Sequence, residues 1–132
     1  MTIRRTDNLR NALMLALNTQ RGANCQIQVR SGANAGVGGQ GTLLAQLTGN
    51  AGGWGTAING VLTSSTITAD TSADATGIAG HYQLNTSGAV FLESGLLDGT
   101  DGLTIDDPNI EIGQNVQAGS DWVNTAAYDD GV

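Results

Sequence analysis

One histidine, one cysteine and a loose run of aspartates are the side chains here from which a reaction or a metal site could be built. His81 stands in GIAGHYQLN (77–85), where polar and apolar residues alternate. General-base work would need a nucleophile or a carboxylate beside it. The residues around it supply neither, so His81 reads as a histidine on the polar face of a sheet. Asp98, Asp101, Asp106 and Asp107 carry the hard oxygens that calcium prefers. Their spacing lacks the alternating ligands and the closing glutamate of an EF-hand loop. Turn-forming aspartates are the simpler reading, and whether the Asp98–Asp107 loop takes calcium is left open by the sequence. Cys25, being alone, can form neither an intrachain disulfide nor a multi-cysteine metal site. No serine lies in a G-x-S-x-G elbow. Gly36, Gly38 and Gly41 satisfy G-x-G-x-x-G, but that fingerprint needs a helix after it, and Thr42–Thr48 (TLLAQLT) reads as a strand. Asn85-Thr86-Ser87 spells a glycosylation acceptor and, with no secretion signal, reads as a turn. Neither catalysis nor a cofactor is expected.

The few aromatic residues are Trp54, Trp122, Tyr82, Tyr128 and Phe91. In loops they could stack on sugars; in a core or at a subunit contact they would fill space.

These residues must be carried by some framework. A chain of 132 residues buries roughly two-thirds of its unfolded surface, enough for one core without metal or disulfide. With 20 glycines, 1 proline and 13% charged residues, it suits short strands joined by tight turns. At 39% apolar content in strand-like runs, disorder is not expected.

Charge is segregated. Five arginines and one acid in residues 1–30 give +4; eleven acids and no base in 31–132 give −11. A basic end on an acidic body reads as an arm that docks on an acidic surface, such as a sister subunit. The net charge of −7 would repel phosphate, so nucleic acid is not an expected partner. The apolar run Ala12–Leu17 is too short for a secretory segment, and no run approaches the roughly 20 apolar residues of a membrane span. The sequence therefore reads as that of a soluble protein made in the cytoplasm.

Along the chain, Thr6 or Asp7 can cap a helix running to about Thr19, with Gly22 as its stop. Leu9, Ala12, Leu13, Ala16 and Leu17 share one face at helical spacing, and Met14 and Leu15 fall outside it. Such a helix is marginal alone in water. It packs on its own sheet, or it has two apolar surfaces, one for its domain and one for a partner. Residues 1–22 form this arm and helix; 23–132 form the β domain. In Cys25–Arg30, Cys25, Ile27 and Val29 alternate with polar residues, and the apolar set is expected inside. Val61–Ala69 is a Thr-rich strand. In the central hairpin, Ile78 to Asn85 alternates, Thr86-Ser87-Gly88 turns with glycine available for a positive φ, and Ala89–Glu93 returns, with Phe91 as a core candidate. Short segments follow at Leu103–Ile105, Ile110–Ile112, Val116–Ala118 and Asp121–Ala127. About eight short strands at roughly 8–12-residue spacing describe an all-β, jelly-roll-like sandwich with one N-terminal helix.

Three pieces together carry a resemblance: the Arg-bearing N-terminal helix, GTLLAQLT (41–48) and ATGIAGHYQLNTSGAVFLESGL (75–96). They resemble small virion proteins of tailed bacteriophages, in particular the jelly-roll capsid decoration (cement) proteins. The resemblance implies a structural protein that binds the outside of the assembled head, as a homotrimer, and clamps neighbouring major capsid subunits. It places the chain on the capsid surface of the virion. On this reading Arg4, Arg5, Leu9, Arg10, Leu13 and Leu17 make the capsid or subunit contact. The second reading is a tail-associated or carbohydrate- or receptor-binding β-sandwich module.

Overall fold

The chain was analysed as a computed structural model, which describes residues 4–34, 36–64, 66–98, 103–119 and 122–125. Helix α1 (Asp7–Arg21) begins where the Thr6 hydroxyl accepts the Leu9 amide at 3.3 Å. Such a cap satisfies an amide that has no partner within the helix. Asp7 and Arg21 sit at the ends where their charges suit the helix dipole. Gly22, at φ 67°, closes the helix by donating to the Asn18 carbonyl.

Strands β1 (Gln26–Ser31), β2 (Leu43–Thr48), β4 (Gly77–Asn85) and β5 (Phe91–Gly95) form one antiparallel sheet in the order β2-β1-β4-β5. The start of β4 also pairs with β6 (Asn109–Ile110), and β3 (Val61–Thr63) pairs separately with β7 (Val123–Thr125). The expected Thr-rich strand is thus short, and Thr68 and Asp70 make isolated bridges to Thr48 and Val116 instead. Fewer strands form among the described residues than the eight expected. The described fold is mostly β, built on an antiparallel sheet, with one N-terminal helix.

The central hairpin forms as the alternation of β4 requires, but its turn differs from expectation. The positive φ falls on Ala89, at 65°, and not on Gly88. Three bonds between Thr86 and its successors tie the turn: Ala89 donates to the Thr86 carbonyl, Val90 to its hydroxyl, and the Thr86 amide to the Val90 carbonyl.

Ile27, Val29, Ala45, Leu47, Tyr82 and Leu84 lie on one face of the sheet and are buried. Each large apolar side chain so buried contributes about 1.5–3 kcal/mol. Met14, Trp54, Leu62 and Trp122 complete this core. Trp122 stands edge-on to Trp54 at 5.0 Å and to Tyr82 at 4.7 Å. It is fixed beside β3 by two bonds to Ser64, one to the amide and one to the hydroxyl. Because Met14 belongs to this same core, α1 is built into the body and does not hang from it as a separate arm.

Candidate docking surface

Helix α1 presents two chemically different sides, and they are not the two that hydrophobic spacing suggested. The buried residues are Arg10, Met14 and Arg21, with Leu17, Asn11 and Asn18 half-buried beside them. Three of the polar residues hold neighbouring loops. Asn11 Oδ1 accepts the Gly60 amide at 2.7 Å, and Asn18 Oδ1 accepts the Trp54 amide at 3.1 Å. Arg10, paired with Asp7 at 2.9 Å, lies against Gly60, where any side chain would strike its guanidinium.

Arg21 is the most deeply placed cation. Its guanidinium carbon lies 4.3 Å from the Trp54 ring centroid and 4.9 Å from that of Trp122, and Nη2 donates to Glu93 Oε1 on β5 at 2.8 Å. A planar, weakly hydrated cation against indole rings and opposite a carboxylate is a form in which arginine can be buried. Its helical spacing from Arg10 and Met14 was visible in the sequence, but nothing local marked its partners.

The other side of α1 faces solvent and carries most of the helix's leucines, with Asn8, Thr19 and Gln20 among them. Leu9, Leu13 and Leu15 are 49%, 43% and 56% exposed, with Ala12 and Ala16 exposed between them. Arg4 is exposed and Arg5 half-buried at the same end. Of the six residues assigned to a subunit contact, Leu9, Leu13 and Arg4 are therefore exposed and Arg5 is partly so. Leu17 packs partly on the core and Arg10 is turned into it. Arg30, on β1, is also engaged internally: it donates to Gln28 and to the carbonyls of Gln40 and Gly41. The basic end is thus largely spent on the protein's own fold.

The second face of the sheet overturns the expectation for His81. Instead of lying on an open polar surface, His81 is 0% exposed, and Gln83 and Asn85 are buried with it. The glycine-rich segment between β1 and β2 folds over His81 and Gln83. His81 Nδ1 donates to the Gly32 carbonyl at 3.0 Å; Gln83 donates to Val37 and accepts from the Gly39 amide at 2.8 Å. These bonds to the covering loop are what permit the burial of His81 Nδ1 and the Gln83 amide. The close fit needs glycine: a side chain at Gly80 would collide with the Gly32 carbonyl, and one at Gly38 would press on Phe91. Phe91 is accordingly half-buried beneath the loop, not in the main core. The G-x-G-x-x-G pattern in this loop leads into β2, so it has no helix N-terminus at which to cradle a phosphate.

The remaining candidates do not assemble a reactive site among the described residues. Asp98, Asp106 and Asp107 are exposed, Asp107 accepts the Asn109 amide as a turn residue does, and Asp101 lies outside the described residues. Among the described residues, no three His, Cys, Asp or Glu side chains gather in a way that could hold a metal ion. Burial pushes the Cys25 thiol above its ordinary range, against the opposing pull of Arg21, which leaves it protonated and inert. Trp54, Trp122 and Tyr82 are all buried, and Tyr128 lies outside the described residues. A cleft of about 230 Å³ beside Ala79, Gly80, Leu96 and Ile105 has Asp98 as its one ionisable lining residue. No described helix is long and apolar enough to cross a membrane.

Comparison of the chain with protein-family models, curated proteins and solved structures returned no match.

Proposed function

We propose that this chain is a structural protein of a virion, docking on the outer surface of a tailed-phage head through the leucine side of α1 and stabilising the shell. The observation that carries the reading is the exposure of Leu9, Leu13 and Leu15 on a helix whose opposite side is already packed. Docking would remove those leucines from water, worth more per contact than an exposed ion pair. Arg4 then steers the approach and does not hold the finished contact. Many such modest contacts repeated over a lattice act together through avidity. The jelly-roll decoration architecture is part of this proposal, supported by the resemblance of the N-terminal helix and of residues 41–48 and 75–96. No reaction belongs to it. A carbohydrate-binding module would need an exposed ring to stack on a sugar; among the described residues Trp54, Trp122 and Tyr82 are buried and Phe91 is half-buried, which favours docking instead.

The test is co-sedimentation with purified heads. The double variant Leu9→Ser/Leu13→Ser should keep the wild-type melting curve and lose binding by about tenfold or more, the equivalent of roughly one buried leucine. Undiminished binding by this folded variant would overturn the docking assignment. Failure of the wild-type protein to bind heads would overturn the decoration role.

A further inference from the structure

The segment 36–41, which covers part of the polar face of the sheet, dictates where the His81 ring carries its proton, and it does so through Gln83. Gln83 Oε1 accepts from the Gly39 amide at 2.8 Å, and Nε2 donates to the Val37 carbonyl at 3.0 Å. Turning the side-chain amide over would set NH2 against the Gly39 N–H and oxygen against the Val37 carbonyl, so its orientation is determined. The second hydrogen on Gln83 Nε2 is left for His81, whose Nε2 lies 3.4 Å away. That ring nitrogen therefore accepts, and the proton sits on Nδ1, where it meets the Gly32 carbonyl at 3.0 Å.

A second proton on the ring has no place here. On Nε2 it would point at the Gln83 amide hydrogens, donor against donor, and both side chains are buried away from water. Among the described residues, the charged groups on the segments packed around the ring are Arg30, Glu93 and Asp98. Arg30 is registered opposite His81, hence on the same face, and donates to Gln28 and to the carbonyls of Gln40 and Gly41. Glu93, registered opposite Leu84, lies on the other face and is bonded to Arg21. Asp98 is exposed and lines the cleft beside Ala79 and Gly80. Residues 32–41 contain no acid or base. The charge on the ring's own side is thus a cation, which adds to the conflict.

We propose that His81 is an acid-operated latch: the neutral ring holds segment 36–41 on the sheet through Gln83, and protonation of Nε2 turns Gln83 away and frees the segment. Two anchors go together, since the Gly39 amide and the Val37 carbonyl both bind the same side chain. The remaining tie, from Arg30 to the Gln40 and Gly41 carbonyls, lies beside the new charge. Release uncovers Gln83 and increases the exposure of Phe91, which is half-buried against Gly38 in the closed form. None of these residues lies on α1, so the latch is independent of what the helix binds.

Magnetic resonance of the full chain, isotopically labelled in nitrogen, tests this without a variant, because the single histidine gives one set of ring signals. At neutral pH the ring should carry its proton on Nδ1. The titration runs from about pH 8 to below about pH 5, spanning the range in which an ordinary histidine changes charge. Uptake of the second proton should coincide with a loss of hydrogen-exchange protection at the Gly39 amide, corrected for the intrinsic pH dependence of exchange. That loss should be about tenfold or more, the equivalent of one buried hydrogen bond, while the amides of Ile27 and Val29 on β1 stay protected. His81→Asn can still donate to Gly32 but takes up no proton, so its Gly39 protection should ignore pH. Gln83→Glu supplies an acceptor for the charged ring, and Gly39 should become better protected as that ring takes its proton. Should His81→Asn fail to fold, the wild-type and Gln83→Glu titrations decide. A proton on Nε2 at neutral pH, or a ring that titrates without change at Gly39, would overturn the latch. So would a ring that stays neutral until the whole sheet loses protection, an acid loss at Gly39 that persists in His81→Asn, or the wild-type response in Gln83→Glu.

Discussion

The two sides of α1 invert the usual division of labour in an amphipathic helix. Its inward side carries Arg10, Met14 and Arg21, and its outward side Leu9, Leu13 and Leu15. The inward cations are tolerable because each has a carboxylate partner, and Arg21 also lies against two indoles. An arginine placed this way gives the core both packing area and a fixed orientation, since its planar group bonds in defined directions. Among the described residues, the outward leucines have no such compensation. The comparison teaches that hydrophobic spacing identifies the residues on one side of a helix, but not whether that side is the one already in use.

Arg21 offers the largest break. Replacing it with methionine removes the stacking on Trp54 and Trp122 and strands Glu93, which is itself partly exposed. Denaturant unfolding should show a loss of about 3 kcal/mol, the lower end of what a broken buried pair costs. A loss below about 0.5 kcal/mol, the surface range, would mean that the inward side does not depend on its cation. Met14→Ala should cost about 2–3 kcal/mol through the cavity it leaves, against a near-neutral Leu13→Ala on the outward side. Equal costs for the two would erase the contrast.

The smallest expected effect tests the floor of the inward site. Because the folded protein holds the Cys25 thiol above its ordinary range, it retains a proton that the unfolded chain gives up. That contribution is fully present below the ordinary thiol range, near pH 8.5, and declines as pH rises toward the folded value. Stability measured on either side of that range should fall on the alkaline side, and Cys25→Ala should flatten the fall. An unchanged slope in Cys25→Ala would assign the alkaline loss to other groups.

Local structure was legible in the residues. Thr6 and Gly22 mark the helix ends because a hydroxyl cap and a positive φ are local requirements. The alternation of Cys25, Ile27 and Val29 named the inward side of β1, and all three are buried. The hairpin around Thr86 followed from two strand patterns separated by a short polar turn. Periodicity also placed His81, Gln83 and Asn85 together on one side of β4.

What periodicity could not reveal was whether a side is covered, because the cover comes from elsewhere in the chain. The lid over His81 is the loop that begins at Gly32, 49 residues earlier, and Arg21 meets Glu93 across 72 residues. Its apolar alternative, the leucine side of α1, has the same helical spacing as the side that was buried. Tertiary structure chose between them by supplying specific partners: carboxylates and indoles for the arginines, and for Asn11 and Asn18 the amides of Gly60 and Trp54. A buried polar group is stable only where such partners converge, and convergence is a property of the folded chain, not of any window of its sequence.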